Sequence, residues 1–578
     1  MTSAPATGLR DDSSTPSTDR PRTPRSIVVS AVAFGLLCGA FEITNTSIGW
    51  HIASGRWMTS NGQIMDRDVF SFTSGGAEWV DHEWLFQVIV ATLFDLGGAP
   101  LLVLMRMLLV AALTVLLLRI GTSSGLDPPV ALLLAVLCVL GARPRFFLRP
   151  ELFTLVLLPL SLWLFSTRGR RRLWPLPLAA VIAAGANLHG GILVAPIVIA
   201  AWFAGEAFDA LVCRDRRRKA LRSGAWGVAA AAVAPLANPH GWQVWTVPFE
   251  LAEMVQKPHI PNPEWLSPGP ADAPWFYLAL GLAVATLALA SRSAEHWLTA
   301  GAGAALALKH IRNLGLFFVL LPQILAPSLA RWSALTNDPS PAVPNRRIRT
   351  VLCLTVVAAL AAAALLRPWP RAGFTFADRW YPDRAYAFCE ANDLLRGRLY
   401  NDVRFGGWLI LNSEPGRRVF LDDRNEVHEP LLEEIWQIFA RSDVGAWQAL
   451  LAGYRIDTVM LRYHEPIMVT DPDGRELGRR GFSALWFPTT RWAMVYWDDV
   501  AMILVRRESV SEDFMSEREY RVIRPDDLAH VFRNLEDDPT LRRRAETEVD
   551  RALSDDPGCR RADQIKKWLS PSRPASAP

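Results

Sequence analysis

The chain has 578 residues, a formal net charge of +4, 51% hydrophobic and 20% charged residues, and a mean hydropathy of +0.15. So small a charge, with the basic residues gathered at loops, argues against nucleic acid as a partner, and the long apolar runs exclude an ordinary soluble protein. The six cysteines show no CxxC or Cys/His metal spacing.

Residues 1–25, rich in Ser, Thr, Pro, Arg and Asp, read as a disordered cytoplasmic leader. A first apolar run follows over 26–45. It is flanked by Arg20, Arg22 and Arg25 and lacks a small-x-small cleavage site, so it reads as a retained helix with an inside start. An outer loop rich in Trp spans 46–98, and within it 84–96 reads as an interfacial or re-entrant helix. Further spans are expected near 99–119, 128–142, 146–166, 173–188, 190–212, 224–238, 275–291, 295–308, 313–331 and 350–366. That makes about 11 in a membrane domain over 26–366. Several fall short of the ~20 residues a perpendicular helix needs, which predicts broken spans or tilt.

Two kinds of break alternate between these runs. One is bare Arg and Lys, at 168–172, 214–219 and 346–349. The other carries His, Asn, Trp and Gly, at 50–51, 79–84, 187–191, 238–242 and 309–313. Lys and Arg resist translocation, so the basic breaks belong in the cytoplasm and the polar packets face outward together. Imidazoles, amides and acids gathered at one membrane face predict a membrane-embedded enzyme or binding site working outside the cytoplasm. An odd span count also places everything beyond Arg367 outside. Residues 367–509 read as a small α/β domain, with strands at 418–421 and 456–461, helices at 431–441 and 446–453, and a strand pair over 492–506; a charged helical tail occupies 510–578.

The outer loop holds His51, Asp68, Asp81, His82 and Glu83 among Trp50, Phe70, Phe72, Trp79 and Trp84. The aromatics suit the bilayer interface. His82 and Glu83 directly precede an apolar segment, where an idle charge is unfavourable. Arg143, Arg145 and Arg149 sit at an outer helix junction where the charge rule predicts few Arg, as do His310 and Arg312. Guanidinium groups grip phosphate bidentately, so these are candidate anion ligands; lipid contact, or an ion pair such as Arg149 with Glu151, is the alternative. Asn187, His189, Asn238 and His240 stand at helix ends, either to bind substrate or to cap and pack. No HxxxH or paired-His motif argues for a metal, and a divalent ion is left open.

Taken in order, these packets resemble a mostly uncharacterised group of bacterial multi-pass membrane proteins related to the GT-C superfamily of polyprenyl-phosphate-sugar-dependent glycosyltransferases. The matching stretches are Trp50-His51 with Gly55, 68–73, Trp79 with His82, Glu83 and Trp84, Arg149-Pro150, 187–191, 238–242, and His310 with Arg312-Asn313. In the tail they are 405–408, 419–422, Arg424 and Ile456-Asp457. The resemblance implies a GT-C-like helical membrane fold with a soluble α/β end, in the bacterial cytoplasmic membrane. It also implies transfer of a sugar from a polyprenyl phosphate carrier to an envelope acceptor on the outer side. An acid of the first outer loop would take the acceptor proton and basic residues would hold the carrier phosphate, with membrane lipids as the other partners. Members often carry Asp shortly before the Trp-His pair; here Asn45, Thr46, Ser47, Ile48 and Gly49 offer none. Asp68 is then the first choice for base, with Asp81, His82 and Glu83 as rivals or supports, and Arg143, Arg145, Arg149 and Arg312 as phosphate ligands. The alternative is a non-catalytic membrane protein that binds an envelope lipid or partner through the same face.

Overall fold

The computed structural model describes residues 23–168, 173–212, 218–260, 262–291, 293–336, 351, 354–358, 360, 371–413, 416–470, 473, 475–535 and 538–570. Most of the leader, nearly all of the three basic clusters and most of the expected span 350–366 lie outside them.

The chain is a membrane protein built mainly of helices: α1 (Arg25–Gly39), α2 (Ile48–Asn61), α3 (Trp84–Ser123), α4 (Pro128–Ala142), α5 (Glu151–Ser166), α6 (Pro175–Leu188), α7 (Val194–Val212), α8 (Arg218–Val233), α9 (Val247–Met254), α10 (Pro274–Ala290), α11 (Ala294–Lys309) and α12 (Leu314–Thr336). Among the described residues, five helical stretches are long and apolar enough to cross a membrane, namely Trp84–Ser123, Pro128–Arg145, Gly190–Val212, Ala220–Ala237 and Ile311–Trp332. The expected spans at 146–166, 173–188 and 275–291 are shorter apolar helices. Proline opens α4, α6 and α10, where its missing N–H is no loss and its fixed φ suits the first turn. Most of these helices share one apolar core, with Phe146, Phe165, Phe276 and Phe317 fully buried, while α2 and the start of α3 pack in a second cluster around Ile52 and Phe86.

α3 is two helices. Gly97 and Gly98 leave helical geometry, Gly98 at φ +62 and ψ −155, a conformation essentially confined to glycine, and Pro100 opens the second piece. The first piece, read from sequence as interfacial, packs on α2, whose Gly55 lies against the Gln87 carbonyl.

The C-terminal region holds a four-stranded sheet in the order β1 (Arg398–Asn401), β2 (Ile456–Arg462), β6 (Ala501–Arg506), β5 (Trp492–Trp497), with β1 parallel to β2 and the other pairs antiparallel, and a separate antiparallel pair, β3 (Ile467–Thr470) with β4 (Glu476–Arg480). The expected hairpin is β5–β6. Residues 418–421 are not a strand of this sheet: Val419 forms only an isolated bridge to Ser71 of the outer loop, whose backbone takes its hydrogen bonds. Helices over 539–569 bury Val549 and Ile565 in the same core as Trp492 and Leu504. Among the tail cysteines, Cys389 and Cys559 are both free and buried.

Loop and C-terminal region are tied together. Ile43 pairs with Phe376, Ser71 with Val419, and Tyr381 donates to the Asn45 carbonyl at 3.1 Å. Because these contacts are direct, the outer loop and the C-terminal region lie at the same end of the helical bundle.

Candidate functional site

The polar packets meet around Glu83. Its Oε1 lies 3.7 Å from His82 Nε2 and 3.8 Å from His189 Nε2. The Gly191 N–H donates to His189 Nδ1, which leaves the proton of a neutral ring on Nε2, facing Glu83. Backbone ties bring the helix ends in. Trp84 Nε1 donates to Asn187 at 2.8 Å, Asn238 donates to the Ala186 carbonyl at 2.9 Å and to the His82 carbonyl at 3.4 Å, and the His240 ring donates to the Asp81 carbonyl at 3.1 Å. Asn187, Asn238 and His240 therefore assemble the site by spending their polar groups on it. Gly190 lets the His82 ring approach to where a Cβ would sit, at 3.3 Å.

Burial pushes the Glu83 carboxyl up to about 8, helped by the charges of Asp81 and Glu426 and opposed by Arg312. His82 is held down at about 4, chiefly by burial. Asp81 is also raised to about 8 by burial, but its Oδ1 accepts from Gln87 at 2.6 Å and its Oδ2 is buried without a partner. Glu83 keeps 19% of its side chain exposed, whereas Asp81 is sealed. His51 is a packing residue: its ring stacks on Trp50 at 3.6 Å and meets the edge of Phe86 at 5.0 Å.

The outer arginines divide into paired and free. Arg145 grips Glu151 with two nitrogens and reaches Glu264 at 3.1 Å; Arg149 reaches the other oxygen of Glu264 at 2.9 Å. The pair foreseen for Arg149 thus exists, but with Glu264, and Glu151 belongs to Arg145. Burial works against the Glu264 carboxylate, yet Arg149 and Arg145 hold it down at about 2. Arg312 makes no ion pair among the described residues and lies 4.5 Å over the Trp265 ring, which also presents its carbonyl to His310 at 2.6 Å.

Asp68 is elsewhere and fully engaged. Its carboxylate accepts from Phe70 N, Ser71 N, Ser71 Oγ and, at 2.7 Å, from Arg424 of the C-terminal region. Arg424 is held in turn by two bonds from Asp422, and His428 stands 3.3 Å behind that acid. With both side chains at 0% exposure, this is a buried lock between loop and C-terminal region. It leaves Asp68 no free lone pair facing solvent for an acceptor's proton. Next to the lock, Asp423 accepts from Trp50 Nε1 at 2.6 Å and Glu426 from Trp79 Nε1 at 3.1 Å. Burial and Asp422 raise Asp423 to about 6, while the charge of Arg149 opposes them.

The fold that carries this site is similar to solved structures. The apo crystal structure of the Archaeoglobus fulgidus oligosaccharyltransferase aligns with a TM-score of 0.52 at 12% identity, over 92% of this chain and 85% of that one. This chain has an oligosaccharyltransferase-like fold. The same archaeal enzyme tethered through a disulfide to an acceptor peptide containing the NVT sequon also gives 0.52 at 12% identity, over 91% and 85% of the two chains. No family model and no curated protein matches the chain. The likeness is one of fold, and the residues of the site rest on the geometry above.

Within this oligosaccharyltransferase-like frame, no group of three or more His, Cys, Asp or Glu among the described residues is arranged to hold a metal ion. Sequence reasoning missed Glu264, Asp423 and Glu426. The signal for the last two was present in the charged packet 422–426, which has no helical period; Glu264 sits in a Pro- and Trp-containing loop that gives no such hint.

Proposed function

We propose that the chain is a membrane glycosyltransferase that moves a sugar from a polyprenyl phosphate carrier to an envelope acceptor at the outer face of the bacterial cytoplasmic membrane. The observation that carries this reading is the juxtaposition at one bundle end of a solvent-reachable carboxylate, Glu83, with a cation that makes no ion pair among the described residues, Arg312. Displacement at an anomeric carbon needs both. As the acceptor's heteroatom forms its bond to carbon, its proton passes to the Glu83 carboxylate; the carbon–oxygen bond to phosphate breaks, and the phosphate leaves with the electron pair. Arg312 stabilises the charge gathering on that phosphate. His82 and His189, kept neutral, flank Glu83 without competing for the anion. Arg145 and Arg149 carry Glu264 already, so they orient the loop and add field rather than grip the carrier directly. Arg143 joins the same helix junction.

The redirection of the base from Asp68 to Glu83 is part of this proposal. The archaeal neighbour was crystallised with an acceptor peptide, so a peptide side chain is the first acceptor class to try here. The test is a deletion strain complemented by variants, read out as lipid-linked sugars accumulating and an envelope glycan disappearing. Glu83→Gln and Arg312→Gln should reproduce the deletion while expressing normally. Full complementation by both would remove the enzyme reading and leave a non-catalytic protein that binds an envelope lipid or partner.

A further inference from the structure

Phe72 of the outer loop and the C-terminal region border an open cavity of about 220 Å³, lined in part by Phe72, Arg398, Leu409, Arg417, Arg418 and Val419. It shares none of its lining with the Glu83 and Arg312 constellation. Its electrostatics are one-sided. Arg418 makes no hydrogen bond or ion pair among the described residues. Arg417 gives one N–H to the Leu395 carbonyl at 2.6 Å, and its Nε is buried without a partner. Arg398 gives one N–H to the Tyr454 carbonyl at 3.2 Å and lies 4.9 Å over the Phe72 ring. The nearby acid, Asp457 beside Gly397, is directed to Arg506 at 3.8 Å.

Elsewhere in the same region some guanidiniums have carboxylates, as Arg379 has Asp556, Arg424 has Asp422 and Asp68, and Arg462 has Asp402, while Arg542 and Arg561 bond to carbonyls. Three arginines border one cavity, none of them in an ion pair among the described residues, and an anion offering several charged oxygens can bridge them through bidentate hydrogen bonds. The lining also carries apolar side chains, Phe72 beneath the Arg398 guanidinium, Leu409 and Val419, which a bare ion would leave without contact. We propose that this cavity binds a small organic phosphate, with the phosphate on Arg398, Arg417 and Arg418 and the organic part against Phe72. Since Phe72 follows Ser71, which bridges to Val419, the ligand would also clamp the loop to the C-terminal region.

The test uses the full chain in neutral detergent, titrated calorimetrically with phenyl phosphate and with inorganic phosphate. Saturable binding is expected, tighter for phenyl phosphate, and about tenfold weaker in Arg418→Gln, since one charged bidentate partner is removed. The unliganded melting temperature of that variant should stay unchanged, because Arg418 has no partner to lose. Arg312→Gln should bind as the parent does. Nanodiscs containing phosphatidate separate the sources of phosphate: binding seen only there, and lost in Arg418→Gln, identifies a lipid headgroup. Absence of saturable binding to every probe, equal binding by Arg418→Gln, or loss in Arg312→Gln alone would each overturn the proposal.

Discussion

Glu83 and Asp68 are both loop acids, and their surroundings give them opposite work. Burial lifts Glu83 to about 8, so its proton-accepting form grows as pH rises. Transfer from a polyprenyl-phosphate sugar by the reconstituted protein should therefore rise through about pH 8. A rate that is flat between about pH 6 and 9 would exclude Glu83 as base. Asp68 should answer to a different measurement. Asp68→Asn leaves Arg424, which is 1% exposed, short of one of its two carboxylates; breaking a buried pair costs about 3 kcal/mol, softened here because Asp422 remains. Chemical denaturation should show the loss, and protease should cut the loop sooner. Glu83→Gln should leave stability unchanged, since an amide is easier to bury than a carboxylate. Equal stability of Asp68→Asn and the parent would contradict the lock.

Among helices, the decisive contact is backbone against backbone. A Cβ on Gly49 of α2 would collide with the carbonyl of Gly407, and one on Gly407 with the carbonyl of Thr46. The helix over 403–412 can reach α2 only because both positions are glycine, and that contact helps set Asp423 beside Trp50. Gly407→Val should therefore separate the C-terminal region from the loop, lowering stability by about 1–3 kcal/mol or more. The Trp50 fluorescence environment should change before the helical bundle melts; a variant with parental stability and activity would show that the two helices need not touch. The motifs 405–408 and Trp50-His51 were visible in the sequence, and their contact was not, because each looks locally like an unremarkable helix turn. The break in α3 is the converse case. Gly97, Gly98 and Pro100 announce it directly, since few other residues can adopt Gly98's backbone angles.

At the level of the entire chain, the hydrogen-bonded union of residues 41–76 with 371–428 means that both must emerge on one side of the membrane. The basic clusters at 168–172, 214–219 and 346–349 predict which side, because Lys and Arg hold their loops in the cytoplasm. Reporter fusions after residues 170 and 216 should read as cytoplasmic and one after residue 400 as external; a cytoplasmic signal at 400 would reverse the orientation and move the site to the inner face. Hydropathy and charge are local properties, so the apolar runs, the alternation of basic and polar breaks, the β5–β6 hairpin and the gathering of His82, Glu83, His189 and Asn238 at one end were all readable in chain order. Which acid is free to act was not. Asp68 is neutralised by a residue 356 positions away, and Arg149 by one 115 positions away. No local pattern records such partners, and the difference between a base and a lock lies in what the folded chain brings within hydrogen-bond reach of each carboxylate.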